Sequence, residues 1–331
     1  MLADVLAQPQ QLTDALWRVD AARLEPVEAG GLVICGMGGS AIGGDLAAAA
    51  IGARATRPIR TVRDYALDPW TSTDTLVLCA SYSGETEETL ACYAAAKNLG
   101  APRVALTTGG TLAAQARADG VPVIGVPSGL QPRAAVAYMV VGALECAAAC
   151  AVAPSLRLEI ERAGPPLERL TKEWGPEASD DAPAKVLARA LAGTIPVIYG
   201  AGPTAPVALR WKTQVNENAK SPAFWATLPE ANHNEICAWN PGGAERLAAV
   251  LLSDPDLSPR MLRRVSLTGE VAALGSAARI EFLTGHGKTR LERILSLVLL
   301  GDLVSLYMAV LAGIDPTPVE PIERFKQALA E

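Results

Sequence analysis

Residues 31–52 read GLVICGMGGSAIGGDLAAAAIG. Leu32 to Cys35 form a short, unbroken apolar run, the pattern of a strand covered on both faces. Glycines at 36, 38 and 39 then predict a tight turn, and the alanine-rich residues that follow predict a helix. Strand, glycine turn and helix in that order open a βα unit. The alternation continues outward. TLVLCAS, 75–81, is a second strand that runs into YSGETEETLACYAAAKNLG, where Thr86 or Thr89 can cap a helix. RVALTTGG (103–110) and VPVIGVPSG (121–129) add strands, and 133–153 is helical. Upstream, residues 1–24 read as an amphipathic helix, with Leu2, Val5, Leu6, Leu12, Leu16 and Trp17 at helical spacing.

A polar, proline-rich stretch covers 154–183, with GPP at 164–166; it holds helical pieces but no strand and predicts a linker. The pattern then restarts. TIPVIYGAGPTAPVALRWKTQVNENAK (194–220) is again strand, glycine turn and helix. RLAAVLLSD (246–254) and ARIEFLTG (278–285) are further strands, and a long apolar helix fills 290–312. Gly36-Met37-Gly38-Gly39-Ser40 and Gly200-Ala201-Gly202-Pro203-Thr204 hold equivalent turns, so one fold is used twice. The predicted architecture is α/β, with two domains that are each a mainly parallel sheet flanked by helices. An N-terminal helix plus first domain take 1–153, the linker 154–183, and the second domain with a C-terminal helix 184–331.

Composition narrows the function. The chain has 331 residues, 50% hydrophobic and 19% charged, which excludes a disordered protein. A net charge of −6 without a basic block argues against nucleic acid, so an anionic ligand must be held by local features. Six cysteines form no CxxC pair, which predicts a reducing, cytoplasmic setting and no structural zinc. The opening MLADVLAQPQQL lacks the basic start and apolar run of a signal peptide. The apolar stretches 135–153 and 294–312 carry Glu145 and Asp302, which suits helices buried in a core or subunit interface better than membrane spans.

Three motifs carry chemistry. In the first turn, Gly38 and Gly39 let backbone amides approach an anion, and Ser40 adds a hydroxyl at a helix N-terminus. No GK[ST] follows and no acidic residue clearly ends the second strand, so neither a nucleotide P-loop nor dinucleotide binding fits. In the second, Ser81, Ser83 and Thr86 put three hydroxyls on one turn at a strand's carboxyl end, enough donors for a phosphate monoester. The plainer reading of that turn is helix capping by Ser83 and Thr86. The third, NENAKSP at 216–222, sets Glu217 in a polar cluster where a carboxylate can act as a base. His233 follows sixteen residues later in PEANHNE; a lone loop histidine, His286 among them, is ordinarily a surface residue.

Together these pieces resemble the sugar isomerase (SIS) domain superfamily, and more closely its bifunctional phosphoglucose/phosphomannose isomerases. GMGGSAIGGD (36–45), SYSGETEET (81–89), QPRAA (131–135), NENAKSPAF (216–224) and PEANHNE (229–235) stand in that family's order. The SYSG turn marks the superfamily; NENAK followed by the histidine is much more specific. The resemblance implies two SIS domains, a homodimer, and a reaction without metal or organic cofactor. It implies that Gly38, Gly39, Ser40, Ser81, Ser83 and Thr86 hold a sugar phosphate. It makes Glu217 the base between C1 and C2, Arg133 the stabiliser of enediolate charge, and His233 a ring-opening group supplied by the partner subunit. Lys326, in IERFKQALAE, matches a family lysine for ring opening and hydroxyl binding. Glu85 departs from the family's usual asparagine and puts negative charge beside the phosphate turn. The expected activity is interconversion of glucose 6-phosphate, and mannose 6-phosphate as well, with fructose 6-phosphate. The rival is a non-catalytic SIS protein that senses sugar phosphates, which needs neither Glu217 nor His233. Glucosamine 6-phosphate synthase would need an amidotransferase domain ahead of the paired SIS domains, and a zinc-dependent phosphoheptose isomerase would need more than two histidines.

Overall fold

A computed structural model describes residues 1–330. The chain packs as two compact units. One comprises Ala3–Leu170 with His286–Ser296; the other comprises Met1–Leu2, Thr171–Gly285 and the residues from Leu297 onward.

The first unit is built on a five-stranded sheet of β1 (Gly31–Cys35), β2 (Ile59–Val62), β3 (Thr75–Ala80), β4 (Arg103–Thr107) and β5 (Val123–Gly125). Its order is β2-β1-β3-β4-β5 and every pairing is parallel, with Cys35 beside Val62 on one side and Cys79 on the other. β1 and β3 are buried at every residue, which is why their sequences are apolar without alternation. The Gly38–Ile51 helix crosses the Val136–Ala149 helix at Gly43, where a side chain would meet Met139 Cβ at 2.3 Å. The N-terminal segment forms helices Leu2–Leu6 and Gln8–Ala22. Its inner stripe is Leu12, Ala15, Leu16 and Val19, and Trp17, expected on that stripe, is instead 63% exposed.

The stretch read as a linker contains an 18-residue helix, Arg157–Trp174, that runs through Pro165 and Pro166. An interior proline costs about 3 kcal/mol. Ile160, Ala163, Leu167, Leu170 and Trp174 recur every three or four residues and are all buried. Each large apolar side chain among them returns roughly 1.5–3 kcal/mol, so the buried stripe outweighs the prolines.

The second unit repeats the plan with four strands: β6 (Ile195–Ala201), β7 (Phe224–Leu228), β8 (Leu247–Ser253) and β9 (Arg279–Thr284). The order β7-β6-β8-β9, again all parallel, matches β2-β1-β3-β4. Even the turns agree, because Gly38 and Gly202 have φ of +50° and +52°. The Ala205–Asn218 helix is anchored to the apolar Arg290–Leu311 helix by two devices. Trp211 Nε1 donates to the Leu297 carbonyl at 2.8 Å, its indole filling space left by Gly301. Arg210 Nη2 donates to Asp302 at 2.7 Å, both side chains 2% exposed. The helical stretch Pro132–Ala149 and the Arg290–Leu311 helix are long and apolar enough to cross a membrane, yet most of each is buried in protein.

Candidate active site

The candidate residues fall in two groups, one in each unit. In the first, three loops meet at the carboxyl ends of β1 and β3. Gly38 opens its helix in a left-handed conformation, and nothing lies within 4 Å of where its Cβ would stand. Gly39 packs so tightly on the 132–135 turn that a side chain would come within 3.0 Å of the Pro132 carbonyl and 3.2 Å of Arg133 Cα. Ser40 is buried, and its Oγ accepts the Tyr82 amide at 3.3 Å, fastening the glycine turn to the Ser81–Thr86 turn. The structure therefore brings GMGGS, SYSGET and PRAA together, although they are tens of residues apart.

Within the second turn, Ser81 Oγ and Thr86 Oγ1 are 2.8 Å apart, and Ser81 Oγ also accepts the Gly84 amide at 3.0 Å. Thr86 sits at the N-cap of the Glu87–Leu99 helix but makes no side-chain cap bond, contrary to the plainer reading of its role. The Thr86 side chain therefore satisfies none of the first-turn amides, and such amides at a helix N-terminus suit an anion. Ser83 is exposed and accepts the Glu85 amide at 3.2 Å. Gly84 has φ +75°, and a Cβ there would lie 2.0 Å from the Gly109 carbonyl oxygen.

Glu85 has a job elsewhere. Its carboxylate accepts the Thr111 amide at 2.7 Å and the Thr111 hydroxyl at 2.8 Å, at the start of the Gly110–Ala118 helix. The Thr111 hydroxyl and amide hold its pKa below the ordinary carboxylate range. Its charge is thus directed at a neighbouring helix terminus. Tyr82, passed over in the sequence, holds the loop before Arg133: its hydroxyl donates to the Pro127 carbonyl at 3.1 Å and accepts the Leu130 amide at 2.8 Å. Arg133 is 3% exposed, and its Nη1 reaches Gln131 Oε1 at 3.4 Å.

In the second unit, Glu217 is half-buried in the last turn of the Ala205–Asn218 helix. Its neighbours lock that turn. Asn216 Nδ2 donates to the Ser221 carbonyl at 2.9 Å, and buried Asn218 donates to Ser305 Oγ at 2.9 Å. His233 ends a short 3-10 turn, Glu230–His233, and is exposed. Asn232 pins that turn through Thr268 Oγ1 at 2.9 Å, and Asn234 through Glu230 at 2.9 Å. Tyr199 underlies the loop; its hydroxyl donates to Glu235 at 2.6 Å and accepts from Trp239 at 2.8 Å. Burial and the Glu235 carboxylate push its phenol pKa up, which keeps it a donor. Among the described residues the His233 imidazole forms no hydrogen bond, to Glu217 or any other. Lys326 is exposed on the Glu320–Ala330 helix.

The equivalent turn of the second unit is closed to ligands. Thr204 is fully buried, and its hydroxyl accepts the Ala201 amide at 2.9 Å and meets the Leu252 carbonyl at 3.0 Å.

Two parallel α/β units with hydroxyl-bearing turns at their strand ends define a double SIS-domain protein. The C-terminal half, residues 180–329, matches the family described as the bacterial phospho-glucose isomerase C-terminal SIS domain. Tagatose-6-phosphate ketose/aldose isomerase from Escherichia coli shares the fold with a TM-score of 0.71 at 15% identity, over 96% of this chain and 94% of that one. Closer in sequence is a bifunctional phosphoglucose/phosphomannose isomerase from Caldicellulosiruptor bescii, 40% identical over 91% of this chain and 89% of the relative. Another, from Aquifex aeolicus, is 37% identical over 95% and 94%. The chain belongs to the bifunctional phosphoglucose/phosphomannose isomerase family, and is an isomerase.

Proposed function

We propose that the protein interconverts glucose 6-phosphate, and mannose 6-phosphate as well, with fructose 6-phosphate, through a cis-enediol, in the cytoplasm. The observation that carries this reading is the convergence of the glycine turn, the Ser81–Thr86 turn and the Arg133 turn, with Gly38 and Ser83 exposed on the first two. Gly38, Gly39, Ser40, Ser81, Ser83 and Thr86 receive the phosphate. Their donors are dipoles, which suits a chain with no basic block.

In the mechanism, Glu217 removes the C2 proton of the open-chain aldose. The C–H electron pair forms the C1–C2 double bond, and the carbonyl electrons move to O1. Arg133 offsets that negative charge. A proton reaches O1, the O2 hydroxyl gives up its proton as C2 becomes the carbonyl, and Glu217 returns its proton to C1. His233 supplies the ring oxygen with a proton during ring opening, and Lys326 assists and binds hydroxyls. The reading makes the active form a homodimer in which His233 comes from the partner subunit, in keeping with its exposure here. It calls for no metal or organic cofactor. The deciding assay gives chelator-treated protein fructose 6-phosphate and measures both aldose products. Formation of glucose 6-phosphate and mannose 6-phosphate is expected. Tight sugar-phosphate binding with neither product would turn the reading to a sensor.

A further inference from the structure

Lys220 closes the NENAK segment in an unusual way. Its φ is +52°, left-handed, at the end of the Ala205–Asn218 helix where glycine is the ordinary choice. A side-chain-bearing residue there costs roughly 1–2 kcal/mol. Such strain persists where the surroundings use it. Here the ammonium reaches three carbonyls: those of Glu217, Pro316 at 3.2 Å and Pro318 at 2.6 Å. An ammonium has three N–H donors, so this set suits its full capacity and leaves a poor candidate for direct substrate contact.

The receiving segment is built to be gripped. Asp315-Pro316-Thr317-Pro318 is a turn in which Asp315 Oδ1 accepts the Thr317 amide at 2.8 Å. Two prolines fix its dihedrals, so the two carbonyls are pre-aimed. Directly after it comes the Glu320–Ala330 helix, which carries Lys326. That helix has little else to hold it: residues 321–329 are all exposed.

We infer that Lys220 is a positioning residue, which ties the terminal helix and its Lys326 to the backbone of Glu217. Its link to catalysis rests on the proposed roles of Glu217 and Lys326; the tether itself does not. The juxtaposition brings the proposed base and a segment about a hundred residues later into one fixed relation, and explains why a strained lysine stands where glycine would be easier.

The test uses full-length Lys220→Gly. Glycine adopts the same left-handed backbone without strain, so the variant removes only the ammonium arm, and its thermal midpoint should not fall. Amide hydrogen exchange across Glu320–Ala330 should accelerate about tenfold or more as the helix loosens. Turnover should drop on the order of 10- to 100-fold, the scale of a small misplacement. The inhibition constant of inorganic phosphate should stay as in the parent, because the phosphate turns are untouched. Lys220→Gly combined with Lys326→Ala should turn over no more slowly than Lys326→Ala alone. Unchanged exchange in the terminal helix refutes the tether. Faster exchange with an additive double variant refutes the coupling to Lys326 and leaves Lys220 acting on its own. Full activity in Glu217→Gln would overturn the proposed base, while the exchange result would still decide the tether.

Discussion

Gly84→Ala tests the join between fold and phosphate site. Gly84 lies at φ +75°, so alanine there costs roughly 1–2 kcal/mol in backbone strain alone. The larger effect is steric. The new Cβ would stand 2.0 Å from the Gly109 carbonyl oxygen and 2.8 Å from its carbon, both backbone atoms that no rotamer change can move. Restoring contact near 3.2 Å requires the two turns to part by roughly 1 Å. That separation strains the Leu112-to-Gly84 bond at 3.0 Å and the Thr108-to-Tyr82 bond at 3.1 Å. Two neutral hydrogen bonds contribute about 1 kcal/mol each. Together with the strain, the loss in folding stability is about 3–4 kcal/mol. Ser83 and Thr86 shift with the turn, so inorganic phosphate should inhibit on the order of 100-fold less well. Gly38→Ala is the control: its φ is +50° but its Cβ meets nothing within 4 Å, so it carries only the strain cost. Urea unfolding gives stability, and phosphate competition against the isomerase reaction gives affinity. If Gly84→Ala unfolds within 1 kcal/mol of the parent by this ~1 kcal/mol hydrogen-bond scale and binds phosphate equally well, the turn is not the rigid cradle described.

Glu217→Gln keeps shape but cannot accept a proton, so turnover should fall by about 10²–10⁴-fold with substrate binding nearly intact; a rate equal to the parent's would remove Glu217 from the mechanism. Mixing inactive Glu217→Gln and His233→Ala subunits should restore about a quarter of the parent's sites, since about half the dimers are mixed and each has one intact site. No recovery in a mixture shown to exchange subunits would mean that each site is built from one chain. Glu85→Gln should leave phosphate affinity unchanged, because the Glu85 carboxylate faces Thr111. The folded-state pKa of Glu85 lies below its ordinary value of 4.5, so its stabilisation is present above that value and is lost as pH falls through the folded pKa. Thermal midpoints measured from neutral to acid pH should therefore converge between parent and variant, and a gap that widens in acid would contradict this assignment.

What the sequence made legible were features encoded within a few residues. The buried strands β1, β3, β4 and β6 read directly, because continuous apolar runs need no partner to be recognised. β2 and β7 escaped notice for a shared reason. Each is an edge strand, and only Val62 in β2 and Leu228 in β7 are fully buried, so β2 shows no apolar run and that of β7, Ala223–Ala226, is short and breaks at Thr227. Arg60 and Thr61 in β2 disguise it further. The 154–183 stretch reads as helical pieces without a strand; that Arg157–Trp174 is one helix was hidden by Pro165 and Pro166, whose local signal is overruled by burial that only the folded chain provides. The site divides in the same way. Ser81, Ser83 and Thr86 are visible as a turn, but that Ser40 fastens to Tyr82 and Glu85 turns to Thr111 depends on contacts across 42 and 26 residues. The grip of Lys220 on Pro316 and Pro318 spans 96 and 98 residues, and nothing local to NENAK announces it.

The duplicated fold adds a constraint of its own. Duplication supplies two glycine turns with nearly the same dihedral, at Gly38 and Gly202. If backbone geometry alone made a phosphate site, both halves would carry one. Two differences set them apart: Pro203, which stands where the first turn has Gly39, has no amide to donate, and the two hydroxyls face different ways. Ser40 faces the next turn and leaves the neighbouring glycine amides open. Thr204 instead satisfies the polar groups of its own turn and the end of β8. With that turn sealed, the second unit is free to develop the other end of its first helix, where Asn216, Asn218 and Lys220 fix the last turn around Glu217. The same strand–turn–helix thus serves an N-terminus open to an anion in one copy and a C-terminus carrying a carboxylate in the other. The helix dipole favours an anionic phosphate at the first; at the second it opposes the Glu217 carboxylate, and the Lys220 ammonium on the Glu217 carbonyl offsets it.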